Sequence, residues 1–254
     1  MIEITPIPAF KDNYIWAIHN AQYAIIVDPG DFKPVQDWLK VQEKKIIGIL
    51  ITHHHHDHID GVNILCQQKS IPVYGPADID IVTQPVNNQD QITFDALNLN
   101  FRVLSTPGHT LNHLCYFNDH SLFCGDTLFI GGCGKLFEGT PAQMLNSFVR
   151  LRQLPGELQV FCAHEYTLDN LKFALEIDPK NTELVRFYRS MQARRKQKLP
   201  TVPSLLQQEW VINPYFTCLN SLYHKHFNIP SIAHKTTLEA FTLIRHLKDE
   251  WSHS

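Results

Sequence analysis

The chain has 254 residues, 44% of them hydrophobic and 19% charged, enough apolar sequence for one large core and a smaller second one. A formal net charge of −3 supplies no global positive field to gather nucleic acid or an anionic membrane, so the expected partner is a small molecule. No run of about 18 apolar residues occurs, and the opening MIEITPIPAFKDNY lacks a basic segment followed by an apolar one; the expectation is a cytoplasmic, membrane-independent monomer. The six cysteines, at 66, 115, 124, 133, 162 and 218, form no CxxC pair and read as reduced, buried thiols.

Short apolar runs recur through the first two thirds, and most end in a polar residue able to bind metal. Residues 23–27 (YAIIV) run into Asp28-Pro-Gly, residues 46–51 (IIGILI) into a histidine tract, and residues 101–104 into Ser105-Thr-Pro-Gly-His109. Residues 121–124 run into Gly125-Asp126, and residues 158–163 into His164. Such runs, bounded by Gly and Pro, predict buried strands whose ends share one rim, where a site can be assembled from distant parts of the chain. Helical patterns lie between them at 34–41, at 62–69 and at 141–154, the last with Thr140 as N-cap. Alternating strands and helices predict an α/β layered domain. After His164 the pattern turns helical, at 168–177, 182–198, 204–210, 219–227 and 237–251, with Thr236 and Glu239 spaced as a capping box. Two domains are expected, 1–165 and 166–254.

The tract Thr52-His-His-His-His-Asp-His58 is internal and broken by Asp57, unlike a terminal tag. Side chains on an extended segment alternate, so His53 with His55, or His54 with His56, can point the same way; spacing alone leaves both pairs open. Asp57 and His58 open a helix expected to begin near Ile59 and face another direction.

Read as H-x-H-x-D-H, the set His53, His55, Asp57, His58 resembles the signature of the metallo-β-lactamase superfamily. The resemblance implies an αββα sandwich in which His53, His55 and His109 hold one divalent metal ion, Asp57, His58 and His164 hold a second, and Asp126 bridges the two. His54 and His56 are then intervening residues. The imidazole and carboxylate set suits zinc, with iron or manganese as other ions it accommodates. Such a pair of ions lowers the pKa of a bridging water and polarises a carbonyl, so a hydrolase is implied, with Asp57 and Asp126 as its catalytic carboxylates.

Four further segments are similar to glyoxalase II, the hydroxyacylglutathione hydrolase family: Asp12-Asn-Tyr14, Gly131-Gly-Cys-Gly-Lys-Leu-Phe-Glu-Gly-Thr140, His164-Glu-Tyr-Thr167 and Arg245-x-x-Lys248-Asp. This resemblance spans the chain and implies that a helical second domain helps bind a glutathione thioester through Lys135, Tyr166, Arg245 and Lys248. The reaction implied is hydrolysis of S-D-lactoylglutathione to glutathione and D-lactate, the second step of methylglyoxal detoxification. Asp60, Asn112, Phe137 and Thr217 depart from the family pattern without removing a ligand. The alternative on the same fold is a glutathione persulfide dioxygenase-like enzyme with a single iron. The basic stretch 186–198 (RFYRSMQARRKQK) is the one feature favouring a nucleic-acid-processing hydrolase, and a non-catalytic histidine-rich metal binder is a further rival.

Overall fold

The computed structural model describes residues 1–67 and 70–251. Its chain packs as two compact units, Met1–Ser105 with Asn112–Gly125, and Thr106–Leu111 with Asp126–Ser254.

The first unit opens with β1 (Glu3–Ala9), β2 (Asn13–His19) and β3 (Tyr23–Val27), an antiparallel meander whose middle strand is buried throughout. Helix α1 (Phe32–Gln42) crosses to β4 (Lys45–Leu50), which runs parallel to β3. Asp31 starts α1 by accepting a hydrogen bond from the Lys33 N–H, and Glu43 ends it in a left-handed conformation at φ 50°. Short helices α2 (His56–Ile59) and α3 (Val62–Cys66) lead to β5 (Val73–Gly75) and β6 (Gln84–Pro85), completing the six-stranded order β1-β2-β3-β4-β5-β6. Of the expected helix over 62–69, Val62–Cys66 is helical with Gln67 as its C-cap, and residues 68 and 69 lie outside the described residues.

A second layer in the same unit is the antiparallel run β7 (Gln91–Phe94), β8 (Leu99–Ser105), β9 (Leu114–Phe117) and β10 (Ser121–Gly125). Its inward aromatics carry the contact between layers: Phe94 meets Tyr74 edge-on at 5.5 Å between ring centroids, and the series continues through Phe101 to Phe123. Gly48 makes room for this, since a Cβ there would lie 2.4 Å from Phe94 Cε1. The buried Tyr116 hydroxyl crosses to the other layer and donates to the Ile51 carbonyl at 2.6 Å. Ile15, Ala17, Ile26, Ile49 and Val35 form the core on the α1 side of the first sheet.

The second unit begins with the hairpin β11 (Leu128–Phe129) and β12 (Gly132–Cys133), followed by α4 (Pro141–Leu151) and β13 (Gln159–Cys162). Thr140 caps α4 in a reciprocal box with Gln143, with Pro141 at the first helical position where its missing N–H costs nothing. Then come α5 (Thr167–Ile177), α6 (Thr182–Lys196), β14 (Ser204–Leu205) paired with β13, α7 (Leu206–Ile212), α8 (Pro214–Thr217) and α9 (Thr237–Glu250). The Thr236–Glu239 capping box is present at the start of α9.

Two expectations change here. The stretch 204–210 starts as the two-residue β14 before α7, and 219–227 is a 3-10 segment, Ser221–His226, in place of an α-helix. Asn220 caps that segment through the Leu222 N–H, and its SLYHKH sequence has too few apolar positions to bury a longer helical face.

Phe148 of α4 sits among Tyr215, Phe216 and Phe241, with centroid separations of 6.0, 4.8 and 5.6 Å, and is fully buried. Replacing it by Ala is expected to lower unfolding stability by about 3–5 kcal/mol, read as a drop in the urea midpoint at unchanged slope.

Candidate metal centre

Strand β4 delivers its C-terminal end to Thr52 and the histidine tract, and the local structure decides which imidazoles turn inward. His53 is buried and His55 half-buried, with His53 Nε2 and His55 Nδ1 3.0 Å apart. His58 is buried beside them, its ring 4.1 Å from that of His53, and its Nε2 is 3.6 Å from Asp57 Oδ2. The other candidate pair does not converge: His54 is half-buried, while His56 is exposed and pairs with Asp60 at 3.1 Å. Asp60, one of the departures from the family pattern, thus faces an exposed histidine. Helix α2 already includes His56 and Asp57, so Asp57 lies inside the first turn rather than ahead of a helix starting near Ile59.

The backing groups fix the ligating atoms. Asp28 Oδ2 lies 3.0 Å from His58 Nδ1 and also accepts from the Thr52 hydroxyl at 2.7 Å, while Asp28 Oδ1 accepts from the Thr52 N–H. Paired with this carboxylate, His58 Nδ1 carries its proton and Nε2 is left as the basic nitrogen. Thr52 Oγ1 stands 3.0 Å from His53 Nδ1, with the same consequence for His53. Asn13, the first residue of β2, donates to Asp57 Oδ2 at 2.8 Å. His113, fully buried, stacks on His53 at 5.0 Å.

In the second unit, Asp126 separates two histidines. Its Oδ2 is 3.4 Å from His109 Nε2 and its Oδ1 is 3.4 Å from His164 Nε2. His109 Nδ1 donates to the Lys135 carbonyl at 2.7 Å, which turns Nε2 into the basic atom. Two donor atoms bound tetrahedrally to one ion at roughly 2.0–2.1 Å lie about 3.4 Å apart, so these separations fit a carboxylate that faces two coordination positions. Within the first unit His53, His55, Asp57 and His58, and within the second His109, Asp126 and His164, are among the described residues able to hold metal. A donor set of imidazoles and carboxylates backed in this way fits divalent ions.

The residues expected to bind glutathione have distinct environments in the second unit. Lys135 is exposed, its ammonium 5.6 Å above the Phe137 ring; Phe137 also meets His109 edge-on at 5.3 Å. Tyr166, at the N-terminus of α5, stacks on His164 at 4.6 Å and 9°. Lys248 is half-buried over the rings of Trp251 and Phe173, and burial followed by the nearby Arg245 charge lowers its pKa to about 8. Arg245 is buried and engaged internally, donating to the Cys133 carbonyl at 2.6 Å and pairing with Asp249 at 3.1 Å. Thr217 is buried, with its hydroxyl toward the Pro214 carbonyl, and Asn112 donates to Asp78 at 2.8 Å.

Sequence reasoning passed over Asp28, Thr52, Asn13 and His113. Asp28 was marked by its place at the end of an apolar run, like the candidate ligands, but its backing of His58 was not foreseen.

Comparison with known proteins gives the family of the chain. Residues 10–85 and 75–164 match the model of the metallo-beta-lactamase superfamily, and residues 165–251 match the hydroxyacylglutathione hydrolase C-terminus. The chain is 49% identical over 220 residues to a hydroxyacylglutathione hydrolase of Nitrosomonas europaea, covering 86% of this chain and 84% of that one. It is 44% identical over 259 residues to the hydroxyacylglutathione hydrolase of Photobacterium profundum, covering 99% and 100%. Among solved structures, ETHE1 from Myxococcus xanthus superposes with a TM-score of 0.67 at 21% identity, covering 97% of this chain and 91% of that one. TTHA1623, solved in a di-iron-bound form, gives 0.59 at 20% identity over 84% and 99%. The fold and donor set therefore define a hydrolase of the metallo-β-lactamase fold that uses divalent metal. Within that class the chain belongs to the hydroxyacylglutathione hydrolase family.

Replacing Asp28 by Asn removes the charge that holds the His58 tautomer, and metal affinity is expected to fall by about 10–100-fold. Competition against a chelating dye checks this; unchanged affinity would show that Asp28 does not act through His58.

Proposed function

We propose that the enzyme hydrolyses S-D-lactoylglutathione and related S-2-hydroxyacylglutathiones to glutathione and the free 2-hydroxy acid. The observation that carries this reading is the similarity to hydroxyacylglutathione hydrolases along the whole chain, including the helices at 165–251. The persulfide dioxygenase alternative is not favoured, because the curated relatives at 44–49% identity are hydroxyacylglutathione hydrolases.

In this reading His53, His55 and His109 hold one ion, Asp57, His58 and His164 a second, and Asp126 lies between them, with zinc as the metal. Bound there, divalent ions would lower the pKa of a coordinated water and polarise the thioester carbonyl. The protein's own contribution is orientation. Asn13 holds the Asp57 carboxylate through Oδ2, and Asp28 and the Lys135 carbonyl fix the His58 and His109 tautomers. The leaving thiolate has a conjugate-acid pKa of about 8.5, near that of free cysteine, so no dedicated acid has to protonate it.

Glutathione carries two carboxylates, which suits cationic anchors. Lys135 and Lys248 serve as those anchors and Tyr166 as a further contact; Arg245, engaged with Cys133 and Asp249, acts from below by holding the segment ahead of Lys135. Catalytic residues fall in a domain over 1–165 and glutathione contacts chiefly in one over 166–254. No disulfide joins the cysteines among the described residues, the state a reducing compartment maintains, which is consistent with a cytoplasmic enzyme; we take it to act as a monomer.

Purified protein of known metal content should hydrolyse S-D-lactoylglutathione, lose activity to a chelator and regain it with zinc. Asp126→Asn is expected to lower kcat by orders of magnitude, whereas Lys248→Ala should act mainly on KM. Absence of turnover at full metal occupancy would overturn the substrate assignment; oxygen consumption with glutathione persulfide would then install the alternative.

A further inference from the structure

Inside the second unit, away from any metal ligand, one carboxylate is fully buried. Glu209 of α7 accepts from the Gly131 N–H at 2.7 Å and from Asn213 Nδ2 at 3.2 Å on Oε2, and from the Ser204 hydroxyl at 2.8 Å on Oε1. Among the described residues it has no ion pair with Lys, Arg or His. The titratable group facing it is the Cys162 thiol, which burial pushes up to about 12 and so keeps neutral. Three donors and no counter-charge is a costly way to hold a helix in place.

What the carboxylate grips is the tip of the β11–β12 hairpin. Gly131 has a left-handed φ of 66°, and a Cβ there would lie 2.6 Å from Leu171 Cδ2. Asn213 donates to the carbonyls of Phe129 and Gly132, at 3.3 and 2.9 Å, and Arg245 donates to that of Cys133. The two arms of this clamped hairpin continue directly into the site: Asp126 precedes β11 by two residues, and Lys135 follows β12 by two. The return arm touches the metal ligands again, because the Lys135 carbonyl accepts from His109 and a Cβ on Gly134 would strike the Asp126 carbonyl oxygen at 1.9 Å.

We propose that Glu209 is a positioning residue for the hydrolysis: by holding the Gly131 N–H at the hairpin tip it sets where Asp126 and Lys135 stand. The inference rests on the proposed function and assigns a role to a residue outside the metal centre and the glutathione contacts. Burial raises the Glu209 pKa from 4.5 to about 7, over the opposing hydrogen bonds. A carboxyl whose folded value is raised contributes its stability below the unfolded value and loses it as pH climbs through the folded one. At pH 8 the protein therefore carries this charge at a cost in stability, which a role in positioning accounts for and a purely structural one does not. A proton on Oε2 displaces the Gly131 or Asn213 donor, and a proton on Oε1 turns the Ser204 hydroxyl into an acceptor; in both cases the charge that strengthens the Gly131 bond is lost, so the grip weakens as pH falls through about 7.

The test compares wild type, Glu209→Gln and Ser204→Ala. With wild type turning over S-D-lactoylglutathione, Glu209→Gln, which removes that buried charge, should have a thermal midpoint at pH 8 no lower than wild type. Its kcat/KM should fall about 10–100-fold and lose the acid limb near neutrality. Independently of turnover, amide exchange at Gly131 in the metal-free protein should quicken at pH 8. Ser204→Ala removes one donor to the charged form and should move the acid limb to higher pH; it serves where Glu209→Gln does not fold. Wild-type kcat/KM in Glu209→Gln, or an unmoved acid limb in Ser204→Ala, overturns the proposal while leaving the reaction intact. Absence of turnover in wild type would instead count against the function, and the exchange rates would still decide the grip.

Discussion

The first unit is organised around one carboxylate. Asp28 stands at the end of β3 with a left-handed φ of 51°, a conformation Asp tolerates better than most residues. Its N–H is bonded to the Leu50 carbonyl of the parallel neighbour β4, and its two oxygens reach the Thr52 N–H, the Thr52 hydroxyl and His58. Sheet register and ligand orientation are thus fixed by the same side chain. Because Asp28 is 4% exposed, these bonds form in a low-dielectric setting, where leaving the carboxylate unmatched would be expensive.

Close backbone approach is the second constraint. Gly30 lies so near the Asp57 carbonyl that a Cβ would fall 1.8 Å from its oxygen, and Gly61 N–H donates to the Pro29 carbonyl at 3.0 Å. The turn after β3 is therefore pressed directly on the helix that bears Asp57 and His58. In the second unit Gly134 plays the same part against Asp126. Glycine in both places lets main chain serve as the packing surface, so ligands on short segments inherit the rigidity of the strands beside them.

How far the sequence alone could lead follows from these details. The inner strands of the parallel region were legible because burial on both faces makes continuous apolar runs, as in YAIIV and IIGILI. The candidate ligands stood out because each follows closely on the end of such a run. β1 and β2 were not: ITPIPA alternates around two prolines and reads as a loop, yet β1 lies at the edge of its sheet, where Pro is tolerated. Spacing could not choose between the two histidine pairs, because the choice depends on Thr52 and Asp28, one adjacent and one 24 residues earlier. Arg245 looked like a surface anchor by its helical spacing with Lys248; it is buried because Cys133, 112 residues before it, offers its carbonyl.

That last pair of facts bears on how substrate recognition and catalysis share one frame. The β11–β12 hairpin is only a few residues long and could not hold a position by its own two-strand pairing. The carbonyls of Phe129, Gly132 and Cys133 and the Gly131 N–H are instead taken up by Asn213, Arg245 and Glu209, residues of α7, α9 and the turn between α7 and α8. The helices that follow His164 therefore do more than carry Lys248. They supply the hydrogen bonds that a short hairpin lacks, and that hairpin joins Asp126 to Lys135. Because Asn213, Arg245 and Glu209 hold the hairpin that follows Asp126, changes in α7 are expected to be felt in kcat as well as in KM.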